Sequence, residues 1–275
     1  MTYLMSVILG FVQGVAEFLP ISSSGHLSLL QTWFGMEEPD NLFNVLLHFA
    51  TLIAVCAVYW RDIVDMIAEF FRGAASLVAR KGNSGPVPPA RRLVLMVILG
   101  TLPLVLILPI EDKVEALGAS NVFVGIALLV TGTILFVSDR MARGRKNART
   151  ATMTDALLVG CAQAVAVIPG LSRSGTTISA GMALGFERTF AVRYSFLLSL
   201  PAVLGATLLK VIDVLKDGID TALLPKYLLG MAVAGVVGYF SIRLVNLLAQ
   251  KNKFGKFSYY CWAMGVIAIV VEILL

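Results

Sequence analysis

FLPISSSGH at residues 18–26 and IPGLSRSGTT at residues 168–177 decide how the rest of this sequence is read. Each interrupts an apolar run, 3–35 in the first case and 155–187 in the second. Proline removes a helix donor and clashes with the preceding turn, and clustered Gly and Ser favour turns, so each run reads as helix, break, helix. Such a break survives at membrane depth only where protein or a water-filled cavity surrounds it. The composition demands a membrane: 58% of the 275 residues are apolar, 14% are charged and the mean hydropathy is +0.86, against roughly 45–50% apolar in a soluble domain. A soluble fold would also show amphipathic stripes that these runs lack.

Six further stretches, near 42–60, 92–109, 121–138, 190–212, 227–248 and 258–275, approach the ~20 apolar residues that a helix needs to span a bilayer. The expected fold is an all-α polytopic membrane protein in one domain, 1–275, with six transmembrane helices and two re-entrant helical hairpins. Residues 10–25 and 160–175 are related at an offset of 150: Gly10/Gly160, Gln13/Gln163, Val15/Val165, Ala16/Ala166, Ser22/Ser172, Ser24/Ser174 and Gly25/Gly175 are identical. That match divides the chain into repeats of about 1–150 and 151–275. One hairpin and three spans per repeat is an odd number of crossings, so the second copy is expected upside down.

Loop charge supplies an orientation. The connections 61–92, 139–149 and 251–256 are rich in Lys and Arg and are expected on the cytoplasmic side. Connections carrying Glu37, Glu38 and Asp40, then Glu111, Asp112 and Glu115, then Asp213, Asp217 and Asp220 are expected on the other. The net charge of +5 is thus mostly topology, and no nucleic-acid partner is implied. Cys56, Cys161 and Cys261 stand far apart in apolar runs, which excludes a CxxC redox or zinc motif. The first twenty residues lack a basic start and contain Gln13 and Glu17, so no cleavable signal is expected.

The polar residues inside the hairpins carry the chemistry. Gln13 and Glu17 are four apart and share a helix face; Ser22, Ser23, Ser24 and His26 follow at the turn. The second break offers Ser172, Arg173, Ser174, Thr176 and Thr177 at the restart of a helix, where N–H groups, hydroxyls and a guanidinium fork suit phosphate oxygens. A carboxylate or guanidinium at membrane depth marks function by default, although a purely structural Glu17–Arg173 pair and serine helix caps would account for the same residues. His48, in LLHFATL, reads as a packed or weakly functional histidine. The inventory suits phosphoryl transfer, in which positioning and charge neutralisation do most of the work. The sequence lacks GxxxxGK[ST] and HExxH, which removes P-loop and zincin chemistry.

Gln13-Gly-Val-Ala-Glu17 running into FLPISSSGH, and PGLSRSGTT at 169–177, resemble the two signature motifs of the bacterial undecaprenyl-pyrophosphate phosphatases linked to bacitracin resistance. The resemblance implies a phosphatase that converts a C55 polyprenyl diphosphate to the monophosphate, recycling the lipid carrier for peptidoglycan and other cell-wall glycans. It implies a bacterial cytoplasmic (inner) membrane location and a site open to the extracytoplasmic side. Residue by residue, it implies catalytic Glu17, Ser23, His26 and Arg173, with Ser22, Ser24, Ser172, Arg173, Ser174 and Thr177 at the phosphates. A divalent cation, Mg2+ or Ca2+, is implied at Glu17 and Gln13, where many relatives carry Glu in place of Gln13. Either Ser23 attacks phosphorus with His26 as base, or His26 and Glu17 activate a water. The alternative is a transporter or flippase of a phosphorylated lipid, whose inverted repeats and broken helices look alike. A homodimer is compatible with the sequence, which fixes no oligomeric state.

Overall fold

The computed structural model describes residues 1–36, 41–78, 87–110, 113–114, 116–217, 222–251 and 254–274. Its helices are α1 (Tyr3–Ala16), α2 (Ser23–Trp33), α3 (Asn41–Val58), α4 (Trp60–Val78), α5 (Pro89–Val105), α6 (Asn121–Met141), α7 (Met153–Val165), α8 (Arg173–Ala183), α9 (Arg188–Asp217), α10 (Leu224–Gln250) and α11 (Phe257–Leu274). No named strand occurs among the described residues; one isolated backbone bridge joins Lys146 and Phe186. Helix starts follow from their caps: Thr2, Ser22, Ser120, Thr152 and Ser172 each accept a backbone N–H three residues on. At Thr152 the Asp155 side chain returns the bond, completing a capping box.

Five helical segments, Pro89–Ile110, Asn121–Met141, Arg188–Leu209, Leu224–Gln250 and Phe254–Leu274, are long and apolar enough to cross a bilayer, and a bent pair, Leu42–Val58 with Trp60–Ser76, makes a sixth candidate. The chain is therefore a multi-pass membrane protein. The two interrupted runs are broken where the sequence places the breaks: α1 and α2 flank residues 17–22, and α7 and α8 flank 166–172.

One connection departs from expectation. The segment 61–92 reads as a basic loop, yet α4 occupies most of it and turns 85° from α3. Trp60, Val64, Ile67 and Phe71 recur every three or four residues and are exposed, while Asp62 pairs with Arg193, and Glu69 with Arg72 at 2.9 Å and Arg91 at 3.0 Å. An apolar stripe opposite a charged face is the pattern of a helix lying in a membrane interface, and charge counting alone hides it. The acidic Glu37, Glu38, Asp40, Glu111, Asp112, Glu115 and Asp220, and the basic Arg80, Lys81 and Lys253, lie outside the described residues, as do the side chains of Asp213 and Asp217.

Glycines set how closely the helices approach. A Cβ on Gly10 of α1 would lie 2.4 Å from the carbonyl oxygen of Gly230 on α10; one on Gly160 of α7 would lie 2.3 Å from that of Gly100 on α5. Gly125 of α6 and Gly265 of α11 face each other's carbonyls in the same way. In lipid, where apolar burial alone does not drive helices together, such close backbone contact supplies the packing energy. The hairpins are thus clamped between the spans, with Phe18, Ile178, Phe196 and Leu197 in one buried cluster behind them.

Candidate active site

The two breaks meet. Glu17 caps the C-terminus of α1 and Arg173 opens α8; Arg173 donates through a terminal guanidinium nitrogen to Glu17 Oε1. The other carboxylate oxygen, Oε2, accepts from Ser23 Oγ at 2.7 Å and from Gln13 Nε2 at 3.1 Å. His48 Nδ1 of α3 lies 3.1 Å from the same oxygen and 3.0 Å from Gln13 Nε2. Glu17 is only 7% exposed. A carboxylate so buried needs its charge compensated, and four side chains from four helices converge to do so.

The turns that present these groups are built alike. Ser22 Oγ accepts from Gly25 N at 3.2 Å and lies 3.4 Å from Ser24 Oγ; Ser172 Oγ accepts from Gly175 N at 3.0 Å and lies 3.3 Å from Ser174 Oγ. They differ at the capping serine. Ser22 has φ +71°, a conformation that costs a non-glycine residue of order 1–3 kcal/mol and is retained where the surroundings enforce it. The enforcing contacts are its own carbonyl, which accepts from His26 N at 3.2 Å and from His26 Nδ1 at 2.7 Å.

A cavity of about 470 Å³ opens beside the pair. Glu17, Ser23, Ser24, His48, Gln163, Ser172, Arg173 and Ser174 form its polar end, and Leu104, Val105 and Leu108 after and within α5, with Ala206 and Leu209 of α9, form an apolar flank. A polar end that grips an anion beside an apolar trough fits an amphiphile with a phosphorylated head.

The sequence-derived residues are sorted by this geometry. Glu17, Ser23, Ser24, Ser172, Arg173 and Ser174 line the cavity. Ser22, His26 and Thr177 stand behind its wall. Ser22 is 1% exposed with its oxygen spent on the cap. Thr177, also 1% exposed, donates to the Arg173 carbonyl at 2.8 Å and so braces the helix start. His26 Nδ1 faces the Ser22 carbonyl and must carry a proton to donate to it; Nε2 then accepts from the Tyr260 hydroxyl at 2.8 Å. Both nitrogens are engaged here, with the Ser22 carbonyl and the Tyr260 hydroxyl rather than with Ser23. Of the two histidines, His48 is the one on the cavity, which favours the functional side of its sequence reading over simple packing. Its place depends on α3 docking against α1, a tertiary contact with no local sequence signal. Gln163 was visible only as the repeat partner of Gln13.

For a hard divalent cation the protein offers oxygen donors: the Glu17 carboxylate and Gln13 Oε1, which is buried without a hydrogen-bond partner. No three His, Cys, Asp or Glu side chains cluster as a metal cage among the described residues. One carboxylate and one amide oxygen fit the Mg2+ mode in which substrate phosphates and water supply most ligands.

Residues 6–267 match the family model described as bacitracin resistance protein BacA. A Methanosphaera stadtmanae protein named undecaprenyl-diphosphatase is 38% identical, covering 99% of both chains. One of the same name from Carboxydothermus hydrogenoformans is 38% identical over 99% of this chain and 98% of its own, and one from Desulforapulum autotrophicum is 40% identical over 96% of both. With the two motif hairpins converging on one cavity and the match running nearly end to end, this chain belongs to the bacitracin resistance protein BacA family.

Proposed function

We propose that this membrane protein hydrolyses undecaprenyl diphosphate to undecaprenyl phosphate and inorganic phosphate. One observation carries the reaction chemistry: the Ser23 hydroxyl donates to Glu17 Oε2 at 2.7 Å on the wall of a cavity that also presents Arg173. A hydroxyl held by a carboxylate is an activated nucleophile. Carrying a phosphate would need the clamp but not this pair.

In the reaction, the terminal phosphoryl group lies at the polar end against Arg173, Ser174 and the N-terminus of α8, and the prenyl chain leaves along the apolar flank. Ser23 Oγ attacks the terminal phosphorus while its proton passes to Glu17. The bridging P–O bond breaks, and its electron pair leaves with the prenyl monophosphate. Water then attacks the phosphoserine, restoring the Ser23 hydroxyl and releasing inorganic phosphate. Arg173 offers five donors, so the contact with Glu17 leaves others for phosphate oxygens. His26, gripping the Ser22 carbonyl, positions the turn from which Ser23 projects. A divalent cation held by Glu17, Gln13 and the diphosphate would screen the repulsion between carboxylate and phosphate.

The finer location also belongs to this reading: the cytoplasmic membrane of a bacterium, with the site open outward and the chain in two inverted repeats. Two features support the paired repeats and the common side of the basic connections. Gly10 meets Gly230 as Gly160 meets Gly100, each hairpin docking on a span of the other half. The described parts of the basic connections also touch one another: Arg92 donates to the carbonyls of Ala148 and Ala151, and Asp139, paired with Arg188, abuts Gly255.

The test is phosphate release from undecaprenyl diphosphate by purified protein in detergent. Wild type should turn over, and Ser23→Ala should lose on the order of 10³-fold or more in turnover. Near-normal turnover by a folded Ser23→Ala protein would rule out the serine nucleophile.

A further inference from the structure

We propose that Gln163 is a substrate-recognition residue whose side-chain amide binds the diphosphate head group, an inference that rests on the hydrolase reading above. Gln163 is 1% exposed, lines the cavity, and has neither Nε2 nor Oε1 hydrogen-bonded. A buried primary amide with both ends unpaired is a standing cost to the fold, and such groups in native proteins call for a partner that the protein itself does not supply.

The repeat shows which partner is missing. In the first hairpin Gln13 donates to Glu17, one helical turn on, at 3.1 Å. Gln163 occupies the corresponding place in the second hairpin, but the residue one turn on is Val167, which has no acceptor. The nitrogen of the first amide is spent inside the protein; both ends of the second are left unpaired in the cavity wall. A ligand that satisfies it must bring an acceptor to Nε2 and a proton-bearing group to Oε1. A non-bridging phosphate oxygen meets the first need, and a water or hydroxyl of the hydrated head group meets the second. Gln163 therefore extends the Arg173 and Ser174 grip on the substrate from the α7 side.

A residue held for its ligand differs from one held for the fold in a measurable way. Gln163→Leu removes both unpaired polar atoms at similar volume. The folded variant should therefore unfold at the wild-type temperature or above it, while KM for undecaprenyl diphosphate rises about 10- to 100-fold, the effect of one lost hydrogen bond to a charged group. Gln163→Glu, which keeps the shape and adds a like charge, should raise KM at least as far, and serves if the leucine variant does not fold. Thermal stabilisation by added undecaprenyl diphosphate, strong in wild type and weakened in both variants, reads binding without turnover. Unchanged KM and ligand stabilisation in a folded variant would overturn the assignment and leave the amide to an ordered water. A lower unfolding temperature with unchanged KM would also overturn it, in favour of a structural role. If wild type releases no phosphate yet is stabilised by the lipid, the hydrolase reading fails, and the stabilisation of the variants still decides the role of Gln163.

Discussion

Replacing Arg173 with alanine strands a carboxylate that is only 7% exposed. Removing one partner of a buried ion pair costs about 3–5 kcal/mol where the other charge is left uncompensated. Here Ser23, Gln13 and His48 still face Glu17 Oε2, so the cost should fall at or just below the bottom of that range, about 2–3 kcal/mol. At about 2–4 °C per kcal/mol for a chain of this size, Arg173→Ala should unfold roughly 4–12 °C below wild type in detergent. Glu17→Ala strands the guanidinium instead, and because Arg173 is more exposed than its partner, at 24% against 5% of the side chain, it should cost less. The double variant buries neither charge. Its loss should fall short of the sum of the single losses by at least about 1 kcal/mol, although all three proteins should be inactive. Additivity within about 0.5 kcal/mol would mean that the pair is not coupled in the folded protein, and the convergence of the two hairpins would be refuted with it.

The two histidines should separate in kinetics. His48→Ala should lower kcat/KM by about 10- to 100-fold, the scale of a lost charge-assisted hydrogen bond, whereas Tyr260→Phe, which frees His26 Nε2, should leave phosphate release within about threefold; the opposite result would make His26 the base. Chelating divalent cations should abolish phosphate release, with recovery on adding Mg2+ or Ca2+, and Gln13→Leu should raise the cation concentration needed for half-maximal rate; full activity in chelator would remove the cation. Gly160→Ala, whose new methyl would meet the Gly100 carbonyl oxygen at 2.3 Å, should cost about 1–3 kcal/mol in detergent unfolding. Gly73→Ala on α4, with its nearest neighbour at 3.6 Å, should be neutral or stabilising; equal effects would contradict the close crossing.

The breaks and the Glu17–Arg173 pair were legible in the sequence because charge, proline and serine clusters in an apolar run are conspicuous at any register. Ser23 was legible for the same reason, lying six residues from Glu17. His48 was not: it comes from another helix 35 residues beyond Gln13, and nothing in LLHFATL separates a histidine that faces a cavity from one that packs. Helix α4 was hidden because its apolar stripe is diluted by Asp62, Asp65, Glu69 and Arg72, so that charge density suggested a loop where periodicity held a helix. His26 shows the opposite case. The motif flags it, but only the Tyr260 contact, 234 residues away, shows which way its ring is committed.

The docking of α1 against α10 has a consequence for biogenesis. The chain emerges from the ribosome amino end first, so the segment carrying Gln13 and Glu17 is made long before residues 224–250, the helix on which its glycine face rests. Through most of synthesis the first hairpin has neither its cradle nor its Arg173 counter-charge, and a buried carboxylate without either is unfavourable in lipid. Its insertion is therefore expected to be late, with α1 and α2 held at the interface or in the insertion machinery until the final third of the polypeptide has been delivered.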